Sequence, residues 1–265
     1  MDGSSLPAAR PTGGGATTPA EAYTGEPRPP EAACPGRLPR APQHPAAQRL
    51  APMPSPFSIL HSELGTARTL SVLAGCLGRR LRGEPFRDAA EPRDRRERNG
   101  RTLARWALLL HRELRAALGA EAGLQLATRV CVAGSVADLN TRLGRPDAER
   151  FSTLDENGRR LQVREWVDSF PNAEATIEQS DPHQVRFTVQ RCSLVEACAS
   201  AGQAELAAAF CEGDSLFFPS LTPPIHIQRT QTIATGGTAC DFCLCLNDPQ
   251  PDSPAPLPEA AGAHA

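Results

Sequence analysis

The stretch Phe170-Pro171-Asn172-Ala173-Glu174-Ala175-Thr176-Ile177-Glu178-Gln179-Ser180-Asp181-Pro182-His183-Gln184-Val185-Arg186-Phe187-Thr188-Val189-Gln190 decides the fold class. Before it, apolar residues recur at helical spacing; within it they alternate. Ala175, Ile177 and Gln179 interleave with polar neighbours, and Val185, Phe187 and Val189 interleave with Arg186, Thr188 and Gln190. Period two places one set of side chains on a buried face and the other in water. Asp181-Pro182-His183 supplies the turn between them, so the stretch reads as an antiparallel hairpin with one wet face.

Upstream, Leu60, Leu64, Leu70, Leu73, Leu77 and Leu81 fall near one helix face, and Leu103, Trp106, Leu110, Leu114 and Leu118 do so again. Gly83 to Gly100 reads as a solvated linker, because acids alternate with arginines in Arg93-Asp94-Arg95-Arg96-Glu97-Arg98. A third helix is expected from Leu124 to about Leu143. Ser152-Thr153-Leu154-Asp155 has the form of a capping box before a short helix at 161–167. Trp106 and Trp166 read as core anchors. Downstream of the hairpin, Ser193 to Phe210 reads as a helical insertion interrupted at Ala201-Gly202. Ile225 to Ile233 and Ala239 to Leu246 read as two more strands around Gly236-Gly237. Helices first and then a mostly antiparallel sheet with one helical insertion make an α+β domain.

The domain is expected to occupy residues 57–247. Residues 1–56 hold 13 of the 26 Pro and 6 of the 21 Gly, and 248–265 are again proline-rich, so both ends read as disordered tails. The formal net charge is −2, and all 28 basic residues are Arg. Without lysine there is no Schiff-base chemistry, and near neutrality argues against a nucleic-acid partner. No membrane span and no apolar leader are visible, which points to a cytoplasmic protein. Nine scattered cysteines, an odd number, are expected to be mostly reduced thiols.

The residues with chemical potential cluster in 191–242. They are Arg191-Cys192, Phe210-Cys211-Glu212-Gly213-Asp214, Arg229-Thr230-Gln231-Thr232-Ile233, and Gly236 followed by Cys240-Asp241-Phe242. This pattern resembles the C-terminal half of the L-2-amino-thiazoline-4-carboxylic acid hydrolase family of bacterial proteins, over about residues 185–246. The closing Gly-turn and Cys-x-Phe strand are also similar to ligand-binding domains of the vinyl-reductase type, some of which are non-enzymatic sensors. The first resemblance implies a hydrolase that opens a small cyclic amidine bearing a carboxylate; the second keeps open a non-catalytic small-molecule-binding module or a degenerate member.

Opening such a ring requires a nucleophile at the amidine carbon, an acid for the departing atom and a cation for the carboxylate. Cys192, Cys211 and Cys240 are the candidate thiolates, Asp214 and Asp241 the candidate proton carriers, and Arg229 the carboxylate clamp, with Thr230 beside it in the substrate site. Each has a plainer reading. The cysteines suit a core, Asp214 suits a turn cap, and Asp241 suits a tie between strands that also pairs Arg229. His183 and His226 are the other titratable groups of this half. The run Cys240-Asp241-Phe242-Cys243-Leu244-Cys245 has metal-like spacing, but on a strand Cys240 and Cys243 face opposite ways. No cofactor is specified. If a divalent metal is used, Cys192, Cys211 and Cys240, with Asp214, are the set to hold it. The partner is a small-molecule substrate, and Gly236-Gly237 lacks the helix and lysine of a phosphate loop.

Overall fold

The computed structural model describes residues 53–246. The expected tails lie outside the described residues, except that Ser55 caps and Pro56 opens the first helix, α1 (Pro56–Leu81). The Ser55 hydroxyl accepts from Ser58 N at 3.1 Å, and proline fits the first helical turn, where its missing N–H costs nothing. Gly65, at φ 71°, breaks the helix in its first half. The break rotates the buried stripe, so Val72 and Cys76 face the core while Leu70 and Leu77, expected there, are 58% and 50% exposed.

The helix α2 (Arg95–Leu118) begins earlier than the charge pattern suggested. The mixed-charge run is the helix start and not a linker. Asp94 caps it by accepting from Glu97 N at 2.8 Å, and Glu97 pairs with Arg93 at 2.9 Å and Arg101 at 2.6 Å. Its inner face carries Leu108, Leu109 and Leu114, all buried. Trp106 is no core anchor. It is 46% exposed, with the Arg80 guanidinium 5.1 Å above its ring. Then come α3 (Ala120–Leu143), α4 (Ala148–Thr153) and α5 (Glu156–Asp168). Ser152 and Thr153 end α4, and Asp155 alone caps α5 by accepting from Gly158 N at 2.7 Å. Trp166 of α5 stacks on Phe151 at 5.2 Å.

The hairpin forms as its alternation requires, with β1 (Ala173–Ser180) and β2 (Gln184–Cys192) antiparallel. Asp181 fixes the turn, its carboxylate accepting from His183 N and Gln184 N, each at 2.8 Å. The insertion consists of α6 (Ser193–Ser200), a 3-10 turn at Ala204–Leu206, and α7 (Ala207–Phe217), which runs beyond the expected end at Phe210. The sheet closes with β3 (His226–Gln228) and β4 (Cys240–Cys245) in the order β1-β2-β4-β3, antiparallel throughout. The strand expected to reach Ile233 stops at Gln228. Asp241 captures the Thr230 and Gln231 amides, and Ile233–Thr235 turns into a 3-10 helix.

Two apolar clusters result. One joins α1, α2, α3, α6 and α7 through residues such as Leu60, Leu108, Leu126, Leu194 and Ala207. The other spreads over the inner face of the sheet through Val185, Phe187, Val189 and Leu244, with Ile225 just before β3. Among the described residues the seven α-helices and this one sheet give the expected α+β architecture, and no helix is long and apolar enough to cross a membrane.

Candidate functional site

The two clusters do not close on each other completely. A chamber of about 550 Å³ remains, walled by helical residues such as Leu60, Leu110 and Val130 and by sheet residues such as Phe187 and Val189. The motif residues meet at its sheet end. Cys192 arrives at the end of β2, Cys211 and Asp214 on α7, and Cys240 and Phe242 on β4; all five line the chamber.

Close helix packing sets the position of Asp214. A side chain at Gly213 would overlap the Ser135 side chain of α3, so glycine lets α7 approach α3 there. Ser135 donates to Phe210 O at 3.0 Å and holds the same contact. Burial lifts the Asp214 carboxyl to about 6, while the charge and hydrogen bond of Arg229 pull it down.

Arg229 is not free to clamp a ligand. Nη1 donates to Asp214 Oδ2 at 3.0 Å, and Nη2 donates to Cys211 O and Ser215 Oγ, each at 2.8 Å. The guanidinium also lies 5.0 Å from the Phe242 ring, and Arg229 is not part of the chamber wall. Its expected partner, Asp241, is engaged elsewhere. It accepts from Thr230 N at 3.0 Å, Thr230 Oγ1 at 2.5 Å and Gln231 N at 2.9 Å. Burial would raise the Asp241 carboxyl, but these bonds outweigh it and hold it below the usual carboxylate range. Asp241 and Thr230 therefore shape the loop after β3, and neither lines the chamber.

The three thiols differ. Burial pushes Cys211 up to about 12, helped by Asp214. Burial also raises Cys192, but the amides of Val195 and Leu194 at the start of α6 and the Asn172 side chain pull it back. Asn172 Nδ2 lies 3.6 Å from Cys192 Sγ. Cys240, raised by burial, accepts from Ile233 N at 3.3 Å and ties the 3-10 turn to β4. Among the described residues no three Cys, His, Asp or Glu side chains are grouped so that they could hold a metal ion. Cys192, Cys211 and Cys240 thus share a chamber but do not form the metal set that their residue types suggested.

Several contributors were not singled out in the sequence. Asn172 carried a signal only as part of the helix-to-strand boundary Phe170-Pro171-Asn172. Ser215 lies one residue past the motif, and Ser135 has no motif at all. Arg191, the first motif residue, ties β2 to the helices by pairing with Glu196 at 2.8 Å and Asp94 at 2.6 Å.

Fold and site together define an α+β domain around an apolar chamber, with three thiols and a carboxyl at one end. A family model described as L-2-amino-thiazoline-4-carboxylic acid hydrolase matches residues 98–244, more than half of the chain. The chain belongs to that family. Comparison with curated proteins and with solved structures finds no match.

Proposed function

We propose that the domain is a cytoplasmic bacterial hydrolase that opens a cyclic amidine by adding water across the amidine carbon and breaking a ring C–N or C–S bond. The observation that carries this reading is the convergence of Cys192 and Asp214 on one chamber wall. Cys192 is the nucleophile: it faces the chamber, and amides and Asn172 offset part of the burial that raises its thiol. Asp214, with its carboxyl near 6, is ionised above that pH; it takes the thiol proton as sulfur bonds to the amidine carbon and gives it to the ring atom that leaves, and water then hydrolyses the Cys192–carbon bond and frees the thiol. Arg229 is a positioning residue that holds Asp214. Cys211, the more strongly raised thiol, is part of the wall. The free cysteines of the described residues support a reducing compartment.

The test is ring opening of 2-amino-thiazoline-4-carboxylate and of its carboxylate-free parent ring, followed by mass. Turnover that Cys192→Ser abolishes and Cys211→Ser spares supports the assignment. A wild-type protein that opens neither ring overturns it. The apolar chamber would then favour the second reading, a non-catalytic module that binds a small molecule.

A further inference from the structure

We propose that the chamber takes a molecule with a large apolar body and an uncharged or cationic head directed at Asp214, and rejects anionic heads. This deepens the hydrolase reading by naming its substrate class, and it rests on that reading only for the amidine identity of the head.

Size is the first argument. A cavity of about 150 Å³ already accommodates benzene. A five-membered ring with small substituents would leave most of the 550 Å³ chamber unfilled. The walls at Leu60, Leu73, Leu110, Val130, Phe210 and Trp106 would then have no partner atoms, and their dispersion contacts would be forfeited. An apolar body fills this space. It has a way in, because the wall residues Phe57 and Trp106 are also exposed to solvent.

Charge is the second argument. Among the described residues the wall carries two carboxylates, Asp138 and Asp214, and no Arg, Lys or His. Asp138 is paired with Arg142 at 2.6 Å, and its side chain is 49% exposed, so it belongs to the solvent side. Asp214 is the charged group at the inner end, and its cation, Arg229, is already bonded to three acceptors. A carboxylate brought into this chamber would lose its hydration, meet no cation in the wall and face Asp214. An amidinium or amine would instead find Asp214, with Asn172 and Ser135 as further polar wall residues.

The experiment is titration calorimetry of the full chain with probes that share a tail and differ in the head: decanamidine, 1-decanol and decanoate, each below its micellar concentration. Decanamidine should bind tightest and decanoate weaker by more than about tenfold, as like-charge juxtaposition demands. Shortening the amidine tail should weaken binding by about fourfold per methylene, the equivalent of ~0.8 kcal/mol. Gly134→Leu provides a second arm. A Cβ at Gly134 meets only Pro56 Cγ, at 3.9 Å, so the leucine occupies chamber space without displacing backbone. It should weaken decanamidine more than hexanamidine while the melting temperature holds or rises. Affinity independent of tail length, or decanoate binding as tightly as decanamidine, overturns the proposal. Tail-dependent binding by a protein that opens no ring would sink the hydrolase reading alone. Ring opening of the carboxylate without tail dependence would sink this inference alone.

Discussion

Arg229, one residue beyond β3, closes on Asp214 in α7 with Nη1 3.0 Å from Oδ2, so the edge of the sheet is tied to the helical layer directly behind the chamber wall. The remaining donors go to Cys211 O and Ser215 Oγ, a fork that a single ammonium cannot reproduce. Arg229→Lys keeps the charge but should cost about 1–3 kcal/mol in urea unfolding. Unchanged stability would show that the geometry of the fork does not matter.

The pH dependence of Asp214 has a defined sign. Its folded-state carboxyl, lifted to about 6 by burial, lies above the ordinary value of 3.8. The stability this shift contributes is full below about 4 and is lost as pH rises through about 6. Relative to Asp214→Asn, the wild type should therefore lose stability between pH 4 and 6 and hold level from 7 to 8. A difference that grows with pH over that window would mean that Arg229 outweighs burial.

Cys192 should alkylate slowly. Burial raises its thiol above the ordinary 9.0, so the thiolate is scarce at neutral pH despite the Val195 and Leu194 amides. Labelling by iodoacetamide, mapped by peptide mass, should still be climbing at pH 9. A plateau reached by pH 8 would reveal a depressed thiol and contradict this environment.

Gly213 governs the approach of α7 to α3. Gly213→Ala drives a methyl into the Ser135 side chain and should cost about 1–3 kcal/mol, seen as a lower melting temperature. Adding Ser135→Gly should restore part of the loss. A Gly213→Ala protein as stable as wild type would show that the helices can separate without penalty.

The sequence made the hairpin legible because Val185, Phe187 and Val189 pack on one side of a single sheet, so period two survives intact. It named Cys192, Cys211, Asp214 and Cys240 as candidates without bringing them together; the fold brings all four to the chamber wall. What it misjudged depended on tertiary partners. Leu70 and Leu77 moved out of the core because Gly65 resets the helical phase. Arg229 continued an apolar period and so suggested an inward-facing clamp, but β3 ends one residue earlier and Asp214 approaches from another element. Asp241 captured the amides that would have prolonged the strand. The chamber itself is a gap between two layers, and no local pattern encodes a gap.

The most direct test of the account uses one substrate pair: 2-amino-thiazoline-4-carboxylate and its decyl amide, which lacks the negative charge and carries an apolar tail. Ring opening is followed as the gain of one water in mass. The decyl amide should be opened with the higher kcat/KM, and Cys192→Ser and Asp214→Asn, both still melting cooperatively, should abolish turnover. Equal or better opening of the free carboxylate, or turnover that survives both substitutions, would contradict the claim that this chamber and these two residues carry the reaction.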